Sequence, residues 1–286
     1  MKAPRPDWLR VRYQQTPELE NLHELVRTEK LHTVCQSAAC PNLGECWSHG
    51  TATFMIAGNL CTRACGFSDV ATGRPGPLDP GEPERVARAI ARLGLRFAVV
   101  TAVARDDLAD GGAEHFARTV AAIRTHAPGC RVELLIPDLK GSVEALQTVL
   151  AASPDVLNHN LETVERLQRP VRKAGRYDRS LAVLANSARL RPDVPTKTGL
   201  MLGLGETDDE VRQTLRDVRA HGCRLLTLGQ YLAPSPAHLP VARWVSPKEF
   251  DAWADFAREL GFDEVFSGPL VRSSYRAEKL AAAAHK

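Results

Sequence analysis

From residue 51 onward, short apolar runs alternate with amphipathic segments, and that alternation leaves few folds open. Thr51–Ile56, Phe97–Val103, Val132–Ile136, Asp155–Asn158, Thr198–Leu204 and Leu225–Tyr231 have the aliphatic, β-branched composition of buried strands. Between them apolar residues recur at helical spacing. Val86, Ile90 and Leu93 form one face, stopped by Gly94; Phe116, Val120 and Ile123 form a second. Val143, Leu146 and Leu150 form a third, and Val211, Leu215 and Val218 a fourth. Thr207 and Glu210 have capping-box spacing, in which hydroxyl and carboxylate satisfy free amides at a helix start. Ser246, Pro247 and Glu249 open a last helix the same way; its face is Phe250, Trp253, Phe256 and Leu260, closed by Gly261. Repeated strand–helix units imply a parallel sheet with right-handed crossovers. Six units are visible, fewer than the eight of a closed barrel. The predicted fold is α/β, a partial (β/α)6 TIM-like barrel, with an open doubly wound sheet as the alternative. In either, ligands belong at the carboxyl ends of the strands.

The first 50 residues read differently. Residues 1–16 are polar and irregular, and Leu19, Leu22, Leu25 and Val26 mark one helical face. Five of the seven cysteines fall within 31 residues. Cys35, Cys40 and Cys46 read C-x4-C-x5-C; Cys61 and Cys65 read C-x3-C, with Ser68 where a third cysteine would complete C-x3-C-x2-C. Clustered thiols in a chain of 286 residues read as metal ligands rather than as a disulfide scaffold. A structural zinc site that enlists His32 or His49 is the alternative to iron–sulfur. Cys130 and Cys223 lie apart and read as small buried hydrophobes. The net charge of +3 argues for neither nucleic acid nor membrane. Without an apolar leader or a membrane-length apolar run, a soluble cytoplasmic protein is expected.

With both cysteine groups in view, the sequence resembles the lipoyl synthase family of the radical S-adenosylmethionine (SAM) superfamily. That family carries C-x4-C-x5-C, then C-x3-C-x2-C, and ends in R-S-S-Y, here Arg272-Ser273-Ser274-Tyr275. The likeness runs through Ala52–Ile56, Ala104–Leu108 with Asp110-Gly111-Gly112, Val132–Asp138, His159–Thr163 and Lys197–Glu206. It implies a partial barrel at residues 51–260, an N-terminal extension (1–50) carrying the first three cysteines, and a C-terminal extension (261–286). It also implies a reaction. Radicals from two SAM molecules abstract hydrogen from C6 and C8 of an octanoyl chain amide-linked to a carrier lysine, and an auxiliary [4Fe-4S] cluster gives up the sulfur. The implied partners are octanoylated carrier domains (2-oxoacid dehydrogenase E2 subunits, the glycine cleavage H protein) and a reductant such as ferredoxin or flavodoxin. Carrier docking is expected on basic residues near Arg169, Arg172 and Lys173.

Carried onto this chain, the resemblance gives Cys35, Cys40 and Cys46 to the auxiliary cluster, with Ser274, or Ser273, as the fourth ligand. Arg272 would orient a carboxylate or the cluster surroundings, or form a surface salt bridge. Cys61, Cys65 and Ser68 fall on the second, SAM-binding cluster, with Phe67 beside it. The stretch Gly199–Glu206, including Gly203 and Glu206, falls on the strand bordering SAM. Asn160, Glu162 and Lys197 are candidates for its ribose or carboxylate, or for strand-end hydrogen bonding. Asp106 and Asp107 are SAM contacts or helix-start carboxylates. Serine at 68 departs from the family pattern: its oxygen is a harder donor with a far higher pKa than a thiol. Three readings stay open: a substitution introduced to disable or trap the SAM cluster, a natural serine ligand, or a protein that kept binding and lost radical chemistry. Another radical SAM sulfur-inserting enzyme, such as a methylthiotransferase, and a non-catalytic metal-stabilised carrier-binding protein are the competing functions.

Overall fold

The computed structural model describes residues 5–10, 24, 26–29, 31–34, 42–48 and 51–283. Cys35, Cys40 and His49, and the helical face at Leu19, Leu22 and Leu25, lie outside the described residues; Val26 is buried.

One sheet organises the chain. Its strands are β1 (His32–Thr33), β2 (Thr51–Ile56), β3 (Phe97–Ala102), β4 (Arg131–Leu135), β5 (Val156–Asn158), β6 (Thr196–Leu202), β7 (Leu225–Gln230) and β8 (Glu264–Gly268), and they neighbour one another in sequence order. β1 is antiparallel to β2, with His32 opposite Met55; every later pairing is parallel. The order ends at β1 and β8 without closing, as a partial barrel must. The crossovers carry α2 (Glu82–Arg92), α3 (Ala113–His126), α4 (Val143–Ala151), α5 (Gln168–Val171), α6 (Tyr177–Leu190), α7 (Asp208–Ala220) and α8 (Pro247–Glu259), after α1 (Leu43–Ser48) and before α9 (Ala277–Ala283).

Strand periodicity of two sorts the side chains. Phe54, Ile56, Val100, Leu134 and Leu157 face the helices, as do Leu200, Leu202, Leu226 and Leu228 in the second half. The alternate set faces the interior. At the amino ends of the strands that interior is filled by Phe97, Val99, Val156 and Leu225, against Ala277, Leu280 and Ala281 of α9. The C-terminal helix therefore plugs the barrel floor, and Thr51 Oγ1 donates to Glu278 Oε2 at 2.9 Å to fix it.

Both capping boxes form as the spacing predicts. Among the elements the pattern does not announce, three show why. α6 interrupts its apolar face with buried Ser180 and Ser187 and lacks a side-chain cap. β8 buries only Val265, and α9 is mostly alanine. β6 starts and stops two residues earlier than its apolar run suggests. Gly203, at φ +95°, ends it, and Glu206 accepts from the Gly203 and Leu204 amides at 2.5 and 2.9 Å.

Candidate functional site

The loop after β2 carries Cys61, Cys65 and Ser68 at the carboxyl end of the barrel. Its backbone is tied on several sides. Cys61 N donates to Ala71 O (2.8 Å), Thr62 N to Ala104 O (3.0 Å) and Gly66 N to Val171 O (2.9 Å), while Leu239 N donates to Gly66 O (3.0 Å). His238 Nε2 lies 3.1 Å from the Ser68 carbonyl and so donates to it, leaving Nδ1 to accept from Ser235 Oγ at 2.9 Å. Arg63, between the two cysteines, is the strongest tie. Its guanidinium grips Asp106 through Nε and Nη2, both at 2.7 Å, and reaches fully buried Asp138, also at 2.7 Å. Burial pushes the Asp138 carboxyl up, but Arg63 outweighs it and holds the group down at about 2.

Asp106 and Asp107, candidates for SAM contact or helix start, do not start the helix. Asp106 belongs to Arg63, and Asp107 pairs with Arg105 at 2.8 Å. Asp110 takes the helix-start role, accepting from Gly112 N and Glu114 N at 2.9 Å each. Its carboxylate follows the strand by enough residues to reach the free amides of α3, which Asp106, drawn back to the cysteine loop, does not.

Cys61 and Cys65 are free thiols, half-buried. Burial pushes Cys65 up to about 11, with Arg172 pulling the other way. Ser68 Oγ accepts weakly from Val70 N at 3.3 Å, and Phe67 beside it is half-buried. Cys130 and Cys223 are buried away from the site, their thiols pushed up to about 11 and about 12 by burial.

Arg172 is not an exposed docking residue; it is buried, whereas Arg169 and Lys173 are exposed. The turn after α5 folds it inward next to the cysteine loop. A chain of hydrogen bonds fixes it. His159 Nδ1 donates to Ile136 O (2.9 Å), so His159 Nε2 accepts from Ser180 Oγ (3.0 Å), whose oxygen accepts from Arg172 Nη1 (2.9 Å). Burial, then the Arg172 charge, lowers His159 to about 4, which keeps the ring neutral. Arg172 makes no carboxylate ion pair among the described residues. Glu162, at φ +69°, shares its field: burial raises its carboxyl, Arg172 opposes, and Asn160 Nδ2 donates to it at 3.0 Å.

Lys197 lies elsewhere. It is wholly buried within the barrel and donates to both Glu133 oxygens at 3.0 and 2.9 Å, with Asn158 Nδ2 donating to the same carboxylate at 2.8 Å. Gly203 and Glu206 form the turn that ends β6, and Gly199 faces Asn160.

The remaining motif lies at the open seam between β8 and the β2 side. α1 rests on β2, and the C-terminal segment descends beside β8. Asn42 Nδ2 donates to Leu270 O at 2.6 Å; Tyr275 Oη and Arg276 Nε donate to Glu45 at 3.2 and 2.9 Å. These contacts bring Ser273 and Ser274 to the helix that carries Cys46. Close approach requires Gly229 on β7, where a Cβ would collide with the Val271 carbonyl. Arg272 donates to Val271 O at 2.7 Å and to Gln230 O at 3.4 Å. Sequence reasoning missed Arg63, the His159–Ser180 relay and Glu45. Only Arg63 carried a signal, its place inside the C-x3-C spacing.

The donors decide which groups these regions suit. At the seam the segment that carries Ser273 and Ser274 is tied to the helix that carries Cys46 through the residues on either side of them. The loop sets two thiols beside a hydroxyl, one thiolate short of the three that bind a cubane open at one iron. Among the described residues no three His, Cys, Asp or Glu side chains form a metal-holding group. Asn160 on the neighbouring strand end offers a free acceptor. Asn160 Oδ1 is buried without a partner, and the missing side chain of Gly199 leaves the space in front of it, where a Cβ would come within 2.9 Å.

Comparison with known proteins agrees. The family model of the radical SAM superfamily matches residues 55–218. Lipoyl synthase of Methylococcus capsulatus is 58% identical over 279 residues, covering 97% of this chain and 87% of the relative. That of Thermus thermophilus is 56% identical, covering 96% and 86%. Among solved structures, HydG, a maturase of the [FeFe]-hydrogenase, superposes with a TM-score of 0.61 at 13% identity, covering 94% of this chain and 71% of that one. Methylornithine synthase superposes at 0.55 with 12% identity, covering 89% and 82%. These two share the fold alone. Identity above half over nearly the whole length, on a radical SAM barrel, makes this chain a member of the lipoyl synthase family.

Proposed function

We propose that this chain is a lipoyl synthase scaffold whose auxiliary site has its full donor set and whose SAM-cluster site is one thiolate short. The reaction is insertion of two sulfur atoms at C6 and C8 of an octanoyl chain on a carrier lysine. When bound, SAM and its cluster supply one-electron cleavage of the sulfonium bond, and the auxiliary [4Fe-4S] cluster supplies sulfur. Cys35, Cys40 and Cys46 hold the auxiliary cluster, with Ser274 or Ser273 at its fourth corner. Cys61, Cys65 and Ser68 are the donors of the second site. Asn160, oriented by Glu162, would accept from a hydroxyl of SAM. Arg172, buried and without a carboxylate partner among the described residues, would offer the charge for SAM's carboxylate, whereas the charge of Lys197 is already paired with Glu133. Gly203 and Glu206 shape the end of the strand that would border SAM.

The N-terminal extension (1–50), barrel (51–260) and C-terminal extension (261–286) divide the labour, although β8 continues the sheet past residue 260. Arg169 and Lys173, exposed on the turn tied to Gly66, are the docking residues for an acidic carrier domain such as an E2 lipoyl domain or the H protein. A small reductant, ferredoxin or flavodoxin, delivers the electrons.

The observation that carries this reading is the meeting of the R-S-S-Y segment with the Cys46 helix at the seam. Iron and sulfide per chain, measured after anaerobic reconstitution beside Ser68→Cys, test it. The expected result is about four irons in this chain and about eight in the cysteine form, one cubane against two. About eight in both makes the serine a working ligand and overturns the missing-thiolate reading.

A further inference from the structure

Arg276 has φ +45°, a left-handed conformation that a residue with a Cβ adopts under constraint. The constraint comes from α1. Glu45 accepts from Arg276 Nε at 2.9 Å, from Arg276 Nη2, and from Tyr275 Oη at 3.2 Å. The Arg276 guanidinium lies 5.4 Å from the centre of the Tyr275 ring, so both donors converge on one carboxylate as a unit. Glu45 directly precedes Cys46, and Tyr275 and Arg276 directly follow Ser273 and Ser274. The tethers therefore flank the cysteine and the two serines without using a thiol or a serine hydroxyl. On the other side, Tyr275, Arg276 and Lys279 border a cavity of about 570 Å³, shared with Asp251, Arg258 and Glu264.

Resting on the auxiliary-cluster reading above, we propose that Glu45, Tyr275 and Arg276 are a latch of positioning residues. The latch holds the R-S-S-Y serines at the Cys46 end of the auxiliary site, and its opening frees the oxygen-bound corner of the cluster. Two features give it direction. The ion pair joins segments that lie over two hundred residues apart, so breaking it frees the stretch between the Asn42–Leu270 and Thr51–Glu278 ties. The left-handed backbone at Arg276, whose carbonyl also receives the first amides of α9, puts strain at the latch rather than in the helix beyond it.

The test uses the full chain in a Cys61→Ala/Cys65→Ala background, where bound iron reports the auxiliary site alone. Glu45→Gln and Arg276→Met are compared with the background for the rate of iron transfer to a chelator. Hydrogen exchange across residues 270–283 is followed in the same proteins without metal. Each variant is expected to lose iron roughly tenfold faster, the scale on which an outer-shell partner acts on metal affinity. Exchange at 272–276 should quicken while the thermal midpoint holds. Arg276→Lys, which keeps the charge and loses the fork, should fall between. Unchanged iron loss and unchanged exchange in both variants overturn the latch. A background protein that binds no iron removes the auxiliary-site reading instead, and the exchange comparison still decides whether Glu45 holds the segment.

Discussion

The chain holds its two thiol-bearing regions by opposite means. The Cys61–Ser68 loop is locked into the barrel: backbone bonds tie it to the loop after β3, the end of α5 and the loop after β7, and Arg63 drives a charged fork into Asp106 and buried Asp138. The Cys46 region is stapled at the barrel's open seam by side chains, Asn42 to Leu270 and Glu45 to Tyr275 and Arg276. A site that must present the same geometry at every turnover gains from the first arrangement. A site whose contents are consumed and renewed gains from the second. The loop's shape rests on Arg63, Gly66, His238 and the Ala71 carbonyl, not on the third donor.

The largest effect should come from cutting the lock. Arg63→Met leaves Asp138 buried with only Arg179, at 3.3 Å, as a charged partner among the described residues. Breaking a buried pair from one side costs about 3–5 kcal/mol. Urea denaturation should show that loss as a fall in midpoint at constant slope. A change under about 1 kcal/mol, the scale of a surface pair, would mean the loop is as loosely held as the seam, and the contrast would fail.

The pH dependence of that loss sharpens the point. Asp138 is held at about 2, below the value of about 3.9 it has in an unfolded chain. A carboxyl lowered by folding contributes stability that is present above about pH 4 and disappears as pH falls toward 2. Without Arg63, burial loses its main opponent and the carboxyl rises. The gap between parent and Arg63→Met should therefore be widest near neutrality and narrow as pH falls through about 4 to about 2. Denaturation curves at pH 7, 4 and 3 would show it; a gap constant across them would assign the loss to shape rather than charge.

Much of this architecture is legible in the amino-acid sequence. Strand and helix order follow from periodicity, because residues such as Phe54, Val100 and Leu134 are buried on the helix side at alternate positions. The caps at Thr207 and Ser246 depend only on local spacing, so they read directly. The cysteine spacings and R-S-S-Y name the chemistry. What the sequence hides is pairing at a distance. Arg172 looks like a surface cation because its neighbours Arg169 and Lys173 are exposed, and only the turn at the end of α5 buries it. Lys197 looks like a ligand contact because nothing nearby in sequence announces Glu133 as its partner. α6 is hidden by Ser180 and Ser187, buried polar residues that break an apolar face yet matter because Ser180 holds Arg172.

The smallest expected effect bears most directly on whether the seam is a separate unit. Asn42 is buried and gives its side-chain amide to Leu270 O at 2.6 Å, a seam contact that carries no charge. Asn42→Ala removes a neutral hydrogen bond worth about 1 kcal/mol. If the seam opens independently of the barrel, that energy is lost from local opening alone. Hydrogen exchange should then rise several-fold, roughly fivefold for about 1 kcal/mol, at residues 42–48 and 268–272, while the global urea midpoint stays put. A midpoint that falls together with the exchange protection would place the seam in the same cooperative unit as the barrel. The two regions would then be one structure held together, and a latch at Glu45 could not open without unfolding the floor that α9 plugs.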